Sequence, residues 1–367
     1  MHLVSIHLSN FKNYETQSLR LSPKLNCFTG LNGMGKTNLL DAVHFLCLCK
    51  SHTSLTDRQL IRHGETFFRL EGMFEQSEER IKIVAKLAWT RKEIERNDKV
   101  FHRLADYIGQ FPVVMIAPDD VTLVQEGSEE RRRFLDVTLS QISTDYLQNL
   151  LIYNALLKQR NALLKDFSEN NRFDAMLLES IDRQMPAPAQ TLHEHRKAFV
   201  TQFRPLFQDC YRDISGDREA VDVSYESDLE KGSLPALFAA ALDKDRVLAR
   251  STAGIHKDDL SLEMDGQIVK KFASQGQIKS YLLALRLAQY EVLRLEKGSD
   301  PILLLDDIFD KLDESRVRQL IGLLLRRNFG QIFITDTQRS RMEAIVASFT
   351  GDYKLFEVEA GRVGDGN

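Results

Sequence analysis

Long apolar runs are scarce in this chain. Val113 to Ala117 is typical of the longest, far below the roughly 18 residues that a bilayer-spanning helix needs. The opening Met1-His2-Leu3-Val4-Ser5 lacks a basic segment, an apolar stretch and a small-residue cleavage site, so no secretion signal is expected. Cysteine is sparse too. Cys27, Cys47, Cys49 and Cys210 form no CxxC pair, which offers zinc no suitable ligand spacing and fits buried free thiols in a reducing cytoplasm. His193 and His195 lie two apart on an expected helix and face different ways, which discounts them as ligands. Net positive charge is also missing. Lys and Arg number 49 against 53 Asp and Glu, a formal charge of -4. That balance excludes a polybasic tail and leaves any polyanion contact to a local basic face.

What is present is ordinary globular material, 43% hydrophobic and 28% charged over 367 residues. This suits two domains, or one domain with a large insertion. The first quarter reads as α/β. Leu3 to Leu8 alternates like a strand, residues 10–14 turn, and Leu25 to Thr29 forms a second strand. Thr37 to Cys49 carries an apolar face through Leu39, Leu40, Val43 and Leu46 at helical spacing. Leu70 to Phe74, Ile81 to Trp89 and Phe111 to Ile116 predict further strands, the last closed by Pro118. Residues 131–212 follow three- and four-residue apolar steps without glycine, a run of helices broken near Met185-Pro186-Ala187-Pro188. Ile302 to Leu305 and Gln331 to Thr335 are apolar enough for buried parallel strands. Gly361 to Asn367 reads as a loose tail. The expected fold is α/β with an inserted helical arm: residues 1–125 and 241–367 form the α/β head, and 126–240 the arm.

Gly30-Leu31-Asn32-Gly33-Met34-Gly35-Lys36-Thr37 is G-x-x-x-x-G-K-[ST], between a strand and a helix. Its glycines let backbone N–H groups point inward as an anion nest at a helix N-terminus. Lys36, expected to face solvent, then reaches the β- and γ-phosphates of ATP, and the Thr37 hydroxyl ligates Mg²⁺. The apolar Ile302–Leu305 run ends in Asp306 and Asp307. Asp306 is placed to hold Mg²⁺ through water, and Asp307 to orient or deprotonate the attacking water. Ser274-Gln275-Gly276-Gln277 precedes a long helix, Ser280 to Leu295. Ser274, Gly276 and Gln277 match the S-x-G-Q signature of ATP-binding-cassette ATPases, which contacts the γ-phosphate held by the opposite subunit and so implies a dimer.

Further stretches make the chain resemble the RecF family. They are Asn10-Phe11-Lys12-Asn13-Tyr14, Asn38-Leu39-Leu40-Asp41-Ala42, Pro118-Asp119-Asp120, Arg131-Arg132-Arg133-Phe134-Leu135-Asp136, Gln159-Arg160-Asn161-Ala162-Leu163-Leu164, and Gly254-Ile255-His256-Lys257-Asp258-Asp259-Leu260. The resemblance implies an SMC-like ATPase head with a short helical arm, dimerising around two ATP molecules. It implies a weak, DNA-dependent ATPase serving as a switch in recombinational repair, replication and the SOS response. The implied partners are DNA (single-stranded, gapped or duplex) and the companion mediators RecO and RecR. Three departures stand out. Ile255 and Lys257 replace the commoner Pro and Arg, Asp310 stands where Ser is usual in Asp310-Lys311-Leu312-Asp313, and Asp336 occupies the region of a γ-phosphate-sensing His, so no such switch is assigned. Arg131, Arg132 and Arg133 are the candidate DNA contacts, of which at most two can face one partner on a helix. Lys12, Arg58 and Arg62 are weaker candidates. A transporter ATPase subunit is the alternative, but the phosphate loop and signature stand much further apart here than in such subunits. A metabolic kinase would leave S-x-G-Q without a role.

Overall fold

The computed structural model describes residues 1–53, 55–88, 91–311, 320, 322–323, 327, 329–349 and 351–365. The chain divides into two compact units. One comprises Met1–Asp120, Cys210–Gly216 and Leu283–Asn367, the other Val121–Asp209 and Asp217–Leu282.

The first unit is built on two sheets. Strand β3 (Leu25–Thr29) is buried at every position, as an apolar run must be when both faces are covered. It pairs in parallel with β13 (Ile332–Asp336) and with β14 (Tyr353–Glu359). Beyond β13 lie β12 (Ile302–Leu305) and β8 (Val113–Ile116), also parallel. An antiparallel β15 (Arg362–Asp365) closes the other edge beyond β14. The supposed loose tail is therefore ordered through Asp365, because Val363 N–H finds Gln17 Oε1 and Val358 pairs opposite it.

The second sheet is antiparallel, in the order β2 (Tyr14–Arg20), β1 (His2–Phe11), β4 (Phe67–Gln76), β5 (Glu79–Ala88), β6 (Arg91–Arg96), β7 (Lys99–Val100). Phe68, Leu70 and Phe74 of β4 alternate inward. Helix α1 (Lys36–Leu48) touches strands of both sheets. Its expected apolar stripe has widened until Asp41 and His44 are buried as well, as befits a helix covered on several sides. Phe11, Phe45 and Phe68 meet edge to face at 5.2–6.4 Å and join this core.

The second unit carries the helices α2 (Thr122–Gln125), α3 (Ser128–Ile142), α4 (Thr144–Glu169), α5 (Ala175–Asp182), most of α6 (Pro186–Ser215), α7 (Leu234–Leu248) and α8 (Val269–Phe272). It also holds a small sheet of β9 (Val221–Glu226), β10 (Asp259–Met264) and β11 (Gln267–Ile268). The proline-rich break resolves into a helix start, with Pro186 opening α6, where its fixed φ and missing N–H do no harm. Helix α9 (Gln275–Lys297) begins in this unit and ends in the first, which also contains α10 (Arg339–Ser348).

Two fully buried arginines organise the second unit. Arg160 donates to Asp182 at 2.7 Å, to Asp245 at 2.6 Å and to Ser251 at 2.9 Å. Arg196 reaches Asp136 at 2.8 Å, Asp258 at 2.7 Å and the Ile255 carbonyl at 2.9 Å. A buried guanidinium must satisfy its donors this way, since losing one partner leaves an uncompensated charge. Three of the stretches that carried the family resemblance supply residues of these networks: Arg131–Asp136 gives Asp136, Gln159–Leu164 gives Arg160 itself, and Gly254–Leu260 gives Ile255 and Asp258.

Candidate nucleotide site

The phosphate loop leaves the C-terminal end of β3 and runs into α1. Gly30 is required by space, because a Cβ there would lie 2.3 Å from the Val358 carbonyl oxygen on β14. Gly35 is required twice over. Its φ is 117°, and a Cβ would stand 2.5 Å from the Asn13 amide nitrogen. The hairpin between β1 and β2 props the loop from below. Asn13 Nδ2 donates to the Met34 carbonyl at 3.1 Å, Tyr14 hydroxyl to the Gly35 carbonyl at 3.0 Å, and Asn38 Nδ2 to Asn13 Oδ1 at 2.7 Å. The β14–β15 turn adds Gly361 N–H on the Met34 carbonyl. Leu31, Asn32, Gly33 and Thr37 are exposed.

Lys36 is a correction. It does not face solvent: it is 6% exposed and folds over its own loop, with Nζ donating to the carbonyls of Gly30 at 2.7 Å and Leu31 at 3.1 Å. An ammonium on a low-dielectric loop needs acceptors, and these two carbonyls are within reach.

Asp306 leaves the C-terminal end of β12, 3% exposed. Its Oδ1 accepts the Thr335 hydroxyl at 2.8 Å, and the Thr37 hydroxyl lies near enough to favour its charged form. Burial pushes the carboxyl above its ordinary range, opposed by these two hydroxyls and by the Lys36 charge. Asp307 follows at φ 46°, its N–H donating to the same Thr335 Oγ1 at 2.8 Å. The structure thus brings Lys36, Thr37, Asp306 and Asp307 together along the edge where the parallel strands end, the usual place for a ligand in such sheets. Thr335 escaped sequence reasoning. Its only signal was a polar Thr-Asp pair closing the second apolar run.

Asp336 takes a structural part. It accepts Gln338 N–H at 2.9 Å and pairs with Arg341 at 2.9 Å, shaping the entry to α10. Leu312 and Asp313 of the post-strand motif, and the side chains of Asp310 and Lys311, lie outside the described residues.

In the second unit, Ser274 and Gln277 form a reciprocal capping box on α9. Ser274 Oγ accepts Gln277 N–H at 3.3 Å, and Gln277 Oε1 accepts Ser274 N–H at 2.8 Å. Ser274 is exposed and Gly276 half-buried. Of the three arginines, Arg131 grips Asp259 with two bonds of 2.6 and 2.9 Å. Arg132 donates to the Asp258 carbonyl at 2.8 Å, and Arg133 stands 3.7 Å from Glu130. Lys12 is 8% exposed and locked onto buried Asp41 at 2.6 Å, so it is a core ion pair and not a surface contact.

The model of the RecF/RecN/SMC N terminal domain matches residues 2–355. Proteins named DNA replication and repair protein RecF are similar along almost the whole chain. That of Porphyromonas gingivalis is 43% identical, covering 99% of this chain and 100% of its own. That of Parabacteroides distasonis is 44% identical, covering 99% of each. A solved structure of the recombination mediator protein RecF with ATP superposes with a TM-score of 0.88 at 27% identity, covering 100% of this chain and 98% of that one. An Smc head bound to the C-winged helix domain of ScpA shares the fold, at a TM-score of 0.58 and 15% identity, covering 99% of this chain and 96% of that one. A phosphate loop braced by two sheets and facing a strand-end aspartate, together with relatives of this closeness, makes the chain a member of the RecF family.

Proposed function

We propose that the protein is a cytoplasmic, ATP-gated DNA-binding protein of recombinational repair and replication, closing as a homodimer on DNA and releasing it after slow hydrolysis. The observation that carries the nucleotide half is the meeting of Thr37 with Asp306 beside Lys36; the repair half rests on the named relatives.

Lys36 would exchange the carbonyls of Gly30 and Leu31 for the β- and γ-phosphates of ATP, while the loop N–H groups from Leu31 to Thr37 cradle them. One hydroxyl and one carboxylate, Thr37 and Asp306, are hard oxygen ligands of the kind Mg²⁺ takes together with water and phosphate oxygens. Mg²⁺ there would neutralise charge developing on the transferred phosphate. Asp307 would orient the attacking water, and Ser274, Gly276 and Gln277 would meet the γ-phosphate bound by the opposite subunit. RecO and RecR are the proposed protein partners.

Arg131, Arg132 and Arg133 are half-buried and engaged internally, so we assign DNA phosphates chiefly to their neighbours. Lys244, Arg250 and Lys257 are exposed, and none makes an ion pair among the described residues. Burial, then the charges of Arg250, Arg132 and Lys244, hold the Lys257 ammonium below its ordinary value. Meanwhile the nearby Asp245 and Asp258 are turned inward onto Arg160 and Arg196. Such a face binds a polyanion without reading its sequence.

DNA binding measured across salt with ATP, ADP or no nucleotide, on single-stranded, gapped and duplex DNA, tests the proposal. The ATP form should bind more tightly and with a steeper salt slope, since log affinity falls by about 0.9 per neutralised phosphate on duplex DNA. Equal affinity and slope in all nucleotide states would overturn the gating.

A further inference from the structure

A line of buried and half-buried polar side chains runs through the first unit, from the helix of the phosphate loop to the helix that the S-x-G-Q motif heads. It starts at Asp41, which follows Thr37 by one turn on the same face of α1 and is fully buried. Asp41 Oδ2 holds Lys12 at 2.6 Å and accepts the Ser51 hydroxyl at 2.6 Å, while Oδ1 accepts the His52 backbone N–H at 2.7 Å. These bonds pin the segment Ser51–Thr53 to α1. The His52 side chain then crosses to Asp120, with Nε2 3.3 Å from Oδ1. The same Oδ1 takes Arg286 at 2.6 Å, and Asp120 Oδ2 accepts the Ala117 N–H at 3.0 Å. Arg286 lies on α9, 12% exposed at its side chain, about 18 Å along the helix from Ser274 at 1.5 Å rise per residue.

Each half of this line is tied by several bonds, and among the described residues the His52 ring reaches from one half to the other. Buried charges of this kind add little net stability over apolar packing of the same shape. A connected line that begins one turn from Thr37 can instead pass on a displacement. Lys36 would supply the switch, its ammonium leaving the carbonyls of Gly30 and Leu31 for phosphate when nucleotide binds.

Resting on the ATP-binding reading above, we infer that Asp41, His52, Asp120 and Arg286 are positioning residues of a relay, through which nucleotide at the phosphate loop sets the signature helix of the same chain. In a dimer that signature serves the partner's nucleotide, so the relay couples the two sites. Pro118-Asp119-Asp120, a stretch with no part in the ATP chemistry itself, thereby gains a role.

The test is amide hydrogen exchange on full-length protein, at concentrations where sedimentation shows a monomer, with and without a slowly hydrolysed ATP analogue. In the wild type, both Gly30–Thr37 and the first turn of α9 should change their exchange rates on adding nucleotide, by at least about threefold. In His52→Ala the loop should respond as before while α9 no longer does. His52→Gln, which returns a side-chain donor toward Asp120, should recover the α9 response. If α9 responds equally in wild type and His52→Ala, or does not respond in the wild type, the relay is wrong. If the loop itself is silent in the wild type, the ATP reading fails first. A purely structural role for His52 would alter α9 exchange without nucleotide and leave the response intact.

Discussion

At the scale of single residues, Lys36 makes two bonds that phosphate would have to replace for it to serve the proposed site. Lys36→Met should therefore lose charge-assisted contacts of about 1.5–3 kcal/mol to ATP, a weakening of roughly ten- to a hundredfold. It should also lower the melting temperature by several degrees, because the carbonyls of Gly30 and Leu31 lose their donor. Titration of a fluorescent ATP analogue and a thermal melt read the two effects separately. Asp307→Asn should leave ATP affinity and fold intact, since Asn tolerates the left-handed conformation that this position adopts. Hydrolysis should fall by about 10²–10⁴ if the carboxylate orients the water, measured by phosphate release. The residues contiguous along the chain, Gly30 to Thr37, were legible because their spacing is itself the chemistry. Thr335 was not, because it meets Asp306 only through the parallel pairing of β12 with β13. The burial of Lys36 was equally hidden, since no local pattern says which acceptors a lysine will find.

At the scale of elements, the capping box on α9 sets two effects of Ser274 against each other. Ser274→Ala removes the cap and should cost about 1 kcal/mol of stability while leaving ATP-induced dimerisation in place. Ser274→Arg removes the cap and, if the signature meets the partner's γ-phosphate as proposed, also fills that space, so sedimentation with the ATP analogue should show monomer only. Persistence of the dimer in the arginine variant would confine Ser274 to capping. Strands with strong apolar runs, β3 and β12, stood out in the sequence with nearly their observed limits. β2 and β6 did not, because Tyr14–Arg20 and Arg91–Arg96 are polar and gain their place by pairing with β1 and β5. β15 looked like a tail for the same reason.

For the molecule as a whole, each unit carries a histidine that resists protonation, buried His44 in one and half-buried His256 in the other. Burial above all pushes His44 in the first unit, and His256 in the second, down to about 4. The unfolded chain takes up these protons from about pH 6.5 downward, so their contribution is complete above that pH and is lost as pH falls toward 4. Each site accounts for at most roughly 3 kcal/mol over that window. Denaturant melts between pH 7 and 4.5 should show this loss, and His44→Gln should make the decline shallower. A decline unchanged in that variant would remove His44 from the account. The α/β class and the helical insertion were readable from periodicity, but the interleaving of distant strands into one sheet was not, since nothing local to β3 names β14 as its neighbour.

That neighbour has a consequence in time. Thr29 on β3 bonds the Phe356 carbonyl on β14, 327 residues later in the chain, and the Val358 carbonyl forms the wall against which Gly30 is turned. At roughly 5–20 residues per second, a ribosome delivers β14 on the order of 15–65 s after β3. Throughout that interval the nascent chain holds an apolar strand with an unclaimed edge, a natural client for holdase chaperones, and a phosphate loop without its wall. On the nucleotide reading proposed above, the head would become able to grip nucleotide only once β14 has emerged, and a messenger cut short before β14 should yield a protein blind to ATP however faithfully its loop were encoded.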